Sequence, residues 1–213
     1  MPEISVRPLH DTSPRVDSGE VAALLAAALT EDPGWTHVVP DRESRRAVLR
    51  SVMRAATTAG ASNVRVACVD GHIAGAAIWP PPGGYPWGAR AKLRVTPPLL
   101  GMALRHPRDV RSVIAFGGAV DAAFPREPVR YLLVLGVAPG HQRRGIGTAL
   151  LADGLAAADS LHESVYLETS AADNVAYYRQ RGFVVLAGSP GPLLTGGPDM
   201  WRMQRPAPAS GQR

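Results

Sequence analysis

Two short stretches of this 213-residue chain carry side chains whose types and spacing could do chemistry. The first is Gln142-Arg143-Arg144-Gly145-Ile146-Gly147-Thr148, which follows an apolar run over 131–137 and a Pro139-Gly140 turn. Apolar, largely β-type residues bounded by Pro and Gly read as a buried strand. Beyond the loop, Ala149, Leu150, Leu151, Gly154, Leu155 and Ala158 recur at helical spacing. A glycine-rich strand-to-helix turn presents unpaired backbone N–H groups at the positive end of a helix dipole, so it suits a phosphate. A nucleoside-triphosphate loop is excluded: it needs Gly-Lys-Ser/Thr, and the only lysine is the distant Lys92. A dinucleotide fingerprint is excluded too, because its third glycine would fall at Leu150; Glu168 imitates only the spacing of its ribose-binding acid. Arg143 and Arg144 could add guanidinium contacts to those of the amides.

The second stretch is Val165-Tyr166-Leu167-Glu168-Thr169-Ser170, followed by Asn174, Tyr177, Tyr178, Gly182 and Phe183. Strand alternation puts Glu168 on the face opposite Leu167 and Thr169, and a carboxylate in a strand core needs a partner. A structural hydrogen-bond donor, a substrate ammonium and the proton taken by a general base all fit that role. Asn174 suits a helix cap, and Tyr177 reads as a packing residue. No histidine has ligand-like spacing, so no metal is expected. The lone Cys68 reads as a small buried apolar residue in a strand.

With strand, turn and helix in this order, Gln142-x-x-Gly145-x-Gly147 resembles the coenzyme A pyrophosphate loop of the GNAT superfamily of acetyltransferases. Asn174-x-x-x-Tyr178-x-x-x-Gly182-Phe183 resembles the second signature of that superfamily. Over the whole chain the sequence is most similar to puromycin N-acetyltransferase and its relatives. That similarity is carried by Leu167-Glu168-Thr169-Ser170, Asn174, residues 178–183, Glu127-Pro128 and His141-Gln142. The differences concentrate in 80–126 and 187–199, the segments expected to shape an acceptor pocket.

The resemblance implies acetyl-CoA as the acetyl donor and direct attack by an amine, without an acyl-enzyme. It assigns Leu135, Gly136 and Val137 to the coenzyme arm, with an oxyanion-binding bulge near Gly136. Gln142, Arg143, Arg144, Gly145, Ile146, Gly147 and Thr148 go to the pyrophosphate, and Asn174 to a further contact with the arm. Tyr178 becomes the acid that protonates the departing thiolate. Glu168 becomes the general base or the anchor of the substrate ammonium. The expected acceptor is a primary amine of a small molecule, with Trp35, Trp79, Tyr85 and Trp87 as candidates to line its pocket. A protein N-terminus or lysine as acceptor, or an acyl-CoA sensor without turnover, are the alternatives.

The elements that must position these residues can be read in outline. Strands are expected over 4–9, 64–69, 73–79, 130–137, 164–169, 183–187 and 200–204. Helices are expected over 19–30, 42–59, 98–105, 107–123, 145–161 and 174–181. This order predicts a single-domain α/β GNAT fold: a mixed central sheet of about six to seven strands, flanked by helices, with a helical insert before the fourth strand. The domain is expected over 1–204, with a disordered tail over 205–213. Hydrophobic residues at 46% and charged residues at 19% fit a soluble globular protein. The net charge is +5 and the pI near 10.0, yet the arginines are scattered, so nucleic acid is not an expected partner. With no signal-peptide pattern and no bilayer-length apolar run, a cytoplasmic monomer or homodimer without a membrane partner is expected.

Overall fold

The computed structural model describes residues 4–12 and 16–209. The chain runs β1 (Ile4–Pro8), α1 (Ser18–Ala28), α2 (Pro33–Val38), α3 (Arg42–Ala59), β2 (Val64–Val69) and β3 (His72–Ile78). The helical insert is α4 (Ala89–Arg105) and α5 (Pro107–Ala123). Then follow β4 (Arg130–Tyr131), β5 (Val134–Val137), α6 (Ile146–Ser160), β6 (Val165–Thr169) and α7 (Ala172–Arg179). The chain closes with β7 (Val184–Val185), β8 (Gly191–Pro192) and β9 (Asp199–Arg205).

These strands build two half-sheets, β1-β2-β3-β5 and β4-β6-β9-β7, with β8 beside β9. The single strand expected over 130–137 serves both. Its first part pairs parallel with β6 and its second antiparallel with β3. The changeover lies at Leu132 and Leu133: the Leu132 N–H still donates to Tyr166 C=O, whereas the Leu133 N–H donates to Ile78 C=O. Ile78 is also the register partner of Val134. Two residues facing one is the count of a β-bulge, which bends the strand and aims its two parts apart.

Alternation sorts the side chains onto two faces. Val64, Val66, Ala76, Ile78 and Val134 pack under α1 and α3, against Leu25, Leu49 and Met53. Ala67, Ala77, Val165 and Leu167 pack on the other face, against Leu150, Leu151 and Leu155 of α6 and Val175 and Tyr178 of α7. Gly154 is glycine because a Cβ there would lie 2.1 Å from the buried Trp79 ring. Arg45 is a buried charge that donates to Thr30 C=O, Val39 C=O and Pro40 C=O and faces the Glu31 carboxylate at 3.8 Å, tying the ends of α1 and α2 to α3.

Three departures from the sequence reading have local causes. A helix that the expected elements leave out, α2, starts at Pro33: Asp32 caps it by accepting from the Trp35 N–H, and Pro33 stands in the first turn, where no N–H is needed. Helix α4 runs through Pro97 and Pro98 instead of starting there, with Val95 and Met102, seven residues apart, both buried on its inner side. Arg205, placed in the tail by its composition, ends β9 and forms a bidentate pair with Asp159 of α6 at 2.5 and 2.9 Å. Residues 210–213 of the expected tail lie outside the described residues.

Candidate active site

Past the bulge, β5 keeps one edge free. The Ala138 N–H donates to Ala74 C=O, so by antiparallel alternation Gly136 and Val134 also turn their backbone groups toward β3. Leu135 and Val137 therefore turn theirs the other way, toward the gap that opens between β5 and β6. Among the described residues no strand pairs with that edge; the Val137 C=O receives only a long contact from the Gln142 amide, at 3.5 Å.

Gly136 also meets a packing demand. Its backbone faces β3, and a Cβ there would meet Leu25 Cδ2 at 2.8 Å and Ala28 Cβ at 3.0 Å. It is glycine so that α1 can approach the sheet. The bulge expected near Gly136 lies at Leu133–Val134.

The loop after β5 ends in an uncapped helix. Gly145 holds the N-cap of α6 with φ of 84°, and no side chain caps the first turn. The first intrahelical bond within the loop joins the Ala149 N–H to Gly145 C=O, which leaves the N–H groups of Ile146, Gly147 and Thr148 without helical partners. Arg143 also takes a left-handed φ, 59°, costing about 1–2 kcal/mol for a side chain with a Cβ. Gln142, Arg143, Arg144, Gly145 and Thr148 are exposed, whereas the Ile146 side chain is buried in the core and offers only its amide. A Cβ at Gly147 would point at Leu135 and Val137 at ordinary contact distances of 3.5 and 3.6 Å.

Helix α7 brings more to this loop than the sequence reading assigned. The Tyr177 hydroxyl lies 3.4 Å from Thr148 Oγ1, and the Arg181 guanidinium stacks 3.6 Å from the centre of the Tyr177 ring while reaching the same Thr148 oxygen. Tyr177, read as packing, stands at the mouth of the phosphate-type loop beside a cation. Asn174 is not the cap of α7, whose N-cap is Ala171; its amide donates to Thr169 Oγ1 at 3.2 Å, holding the end of β6. Tyr178 turns inward against Phe183 with its ring buried, and burial raises the phenol well above its ordinary value.

Glu168 leaves β6 on the opposite face from Tyr178, the face that carries the insert. There it enters a box of aromatic rings. Tyr131 and Tyr166 come from adjacent positions of the paired β4 and β6, Phe124 from the end of the insert, and Tyr85 from the segment before it. Neighbouring ring centres are 4.9–5.8 Å apart. The Tyr131 hydroxyl donates to Glu168 Oε2 at 2.6 Å. Glu168 Oε1 and the Tyr166 hydroxyl are buried and make no hydrogen bond of ordinary geometry among the described residues, yet the Tyr166 hydroxyl lies near enough to the carboxylate to help hold its charge. Burial raises the Glu168 carboxyl from 4.5 to about 7; the tyrosine hydroxyls and the charge of Arg202 offset part of the rise. Burial and the Glu168 charge in turn hold Tyr131 protonated. At the rim, the Tyr85 hydroxyl donates to Asp121 of α5.

Of the aromatic residues expected around an acceptor, Tyr85 and Trp87 border this box, with their own ring centres 5.4 Å apart. Trp79 belongs to the core, and Trp35 packs edge-on against Phe116. Tyr131, Tyr166, Phe124 and Asp121 were missed. Tyr166 had a signal, since it stands two residues before Glu168 on one strand face. The other three are set beside it only by the topology. Next to the box, Ser170 donates to Asp32 at 2.8 Å and accepts from the Gly34 N–H, joining the end of β6 to α2. The segments 80–126 and 187–199 meet nearby: Phe116, Leu194 and Pro198 line a groove against Gly34 and His37.

A sheet split by a bulge, a free strand edge in the split and an uncapped helix N-terminus beside it together define an α/β acyltransferase fold. Residues 26–183 match the sequence profile of the acetyltransferase (GNAT) family. The chain belongs to that family and is an acetyl-CoA-dependent acyltransferase. Similar solved structures agree on the fold. One is histone acetyltransferase HPA2 and related acetyltransferase from Corynebacterium glutamicum ATCC 13032, at 24% identity and TM-score 0.69 over 99% of this chain and 100% of that one. A protein of Pyrococcus horikoshii OT3 matches at 15% identity and TM-score 0.59, over 97% and 99%. The NatC complex bound to Gag peptide and CoA contains a chain at 13% identity and TM-score 0.55, over 97% and 99%. Among the described residues no group of His, Cys, Asp and Glu could hold a metal ion, and no helix is long and apolar enough to cross a membrane.

Proposed function

We propose that this enzyme acetylates a primary amine of a ring-bearing small molecule, with Glu168 as base and Tyr178 as acid. The observation that carries this reading is Glu168 Oε1, a buried carboxylate oxygen in an aromatic box that makes no hydrogen bond of ordinary geometry, with the Tyr166 hydroxyl as its nearby polar group. Such an atom is costly unless an N–H comes to it, and a substrate amine is a fitting source. The ring faces suit an aromatic or cationic body behind that amine.

Acetyl-CoA supplies the activated acetyl thioester. The backbone of Leu135 and Val137 would hold its amide-bearing arm as an added strand. The amides of Gly145 through Thr148 would hold its pyrophosphate, with Gln142, Arg143, Arg144, Tyr177 and Arg181 around them. Asn174 lines the same side. Glu168 takes the proton from the attacking nitrogen on the insert face, and Tyr178 gives one to the departing sulfur on the α7 face. The sheet thus keeps the two proton transfers apart.

Acetyl-CoA and a panel of ring-bearing amines, linear polyamines and peptides, followed by free-thiol release, test the acceptor class. Ring-bearing amines should give the highest kcat/KM; a preference for peptides would move the enzyme to protein acetylation. Within the loop, Gly145→Val sets a β-branched residue at φ of 84° and should weaken acetyl-CoA binding in calorimetry by more than about tenfold. Gly147→Ala directs its methyl at β5 and should change the affinity by less than about threefold. Unchanged affinity in Gly145→Val would remove the loop from the site.

A further inference from the structure

Helix α4 carries an apolar ridge that the fold leaves in water. Leu93, Leu100 and Leu104 are 75%, 56% and 76% exposed, and their spacing puts them on one face, opposite the buried Val95 and Met102. Ile114 on α5 is 67% exposed. The flanks of the ridge are basic: Arg90, Arg94 and Arg105 follow one side and Lys92 the other. Helix α4 contains no acid. Arg108 and Arg111 continue the charge into α5, where the first acid, Asp109, faces His106 at 4.0 Å.

We infer that the α4–α5 hairpin docks on an anionic lipid surface. An apolar ridge flanked by long basic side chains is the pattern of a helix lying in a membrane interface, with leucines among acyl chains and arginines at headgroup phosphates. Charge complementarity selects this occupant. A second copy of the same face would set arginines against arginines with no carboxylate on α4 to answer them. The inference is independent of the acceptor's identity, because none of these residues belongs to the aromatic box or the loop after β5.

Co-sedimentation of the full chain with phosphatidylcholine vesicles and with equimolar phosphatidylcholine–phosphatidylglycerol vesicles tests it. The bound fraction should be at least about tenfold higher on the anionic vesicles and should fall as salt is raised. Two exposed-site variants, Leu93→Ser/Leu100→Ser/Leu104→Ser and Arg90→Gln/Arg94→Gln/Arg105→Gln, should each cut that binding about tenfold while circular dichroism stays unchanged. Equal binding to both vesicle types, no binding to either, or full binding by both variants would overturn the proposal. So would light scattering that shows a wild-type dimer, dissociated by the leucine variant, together with no vesicle binding; the face would then belong to a second copy.

Discussion

Glu168→Gln should lower kcat/KM for the amine by about 10²–10³ at neutral pH, the size expected for loss of a general base. In the wild type the rate should climb with pH through about 7, as the carboxyl ionises, and the Gln variant should lose that limb. The deficit should shrink at high pH, where free amine needs no base. Stability should move the other way. The folded carboxyl holds its proton up to about 7 against an ordinary 4.5, so the folded state binds more protons between these values, and wild-type stability falls as pH rises through that window. Gln has no charge to bury. The variant should therefore melt above the wild type at pH 8, by a margin of about 1–3 kcal/mol, and the gap should close toward pH 4.5. Activity per folded molecule and melting curves at the two pH values check both halves. A Gln variant that melts lower at pH 8 with normal specific activity would make Glu168 a structural acceptor of the Tyr131 hydrogen bond.

Tyr178→Phe should lower kcat by about 10–10³ and leave acetyl-CoA affinity nearly unchanged, since the ring still fills its place against Phe183. Because burial raises the Tyr178 phenol, it stays protonated through the working range, and no alkaline loss of rate below about pH 10 should come from it. Tyr177→Phe should show the opposite division. Its hydroxyl meets Thr148 at the loop, so the loss should fall on acetyl-CoA binding and spare kcat. Single-turnover rates beside binding isotherms separate the two tyrosines; a larger kcat loss from Tyr177→Phe would exchange their roles.

Much of this site could be read from the chain because its signals are local. Gly145 must be glycine for a turn with positive φ, and the amides of Ile146, Gly147 and Thr148 are left bare by the helix that starts there. Alternation alone put Glu168 on the face away from Leu167, and the structure keeps that arrangement. The split of the strand over 130–137 was not legible, because a bulge arises from two competing partners, β3 and β6, that are far apart in sequence. For the same reason the packing role of Gly136 was not legible: only the approach of Leu25 and Ala28 from α1 shows why no side chain fits there.

The sequence by itself determined the family, the order of the elements, the phosphate-type loop and the acid on β6, all of which rest on spacing within one segment or its immediate neighbour. The tertiary structure decided what surrounds them. It set Tyr131 against Tyr166 by parallel register, brought Phe124 and Tyr85 against those rings and turned Tyr177 and Arg181 to the loop. It also raised the carboxyl to about 7. The physical reason is that periodicity fixes the face a side chain occupies, whereas its burial, and hence its proton affinity, depends on groups that long-range pairing delivers.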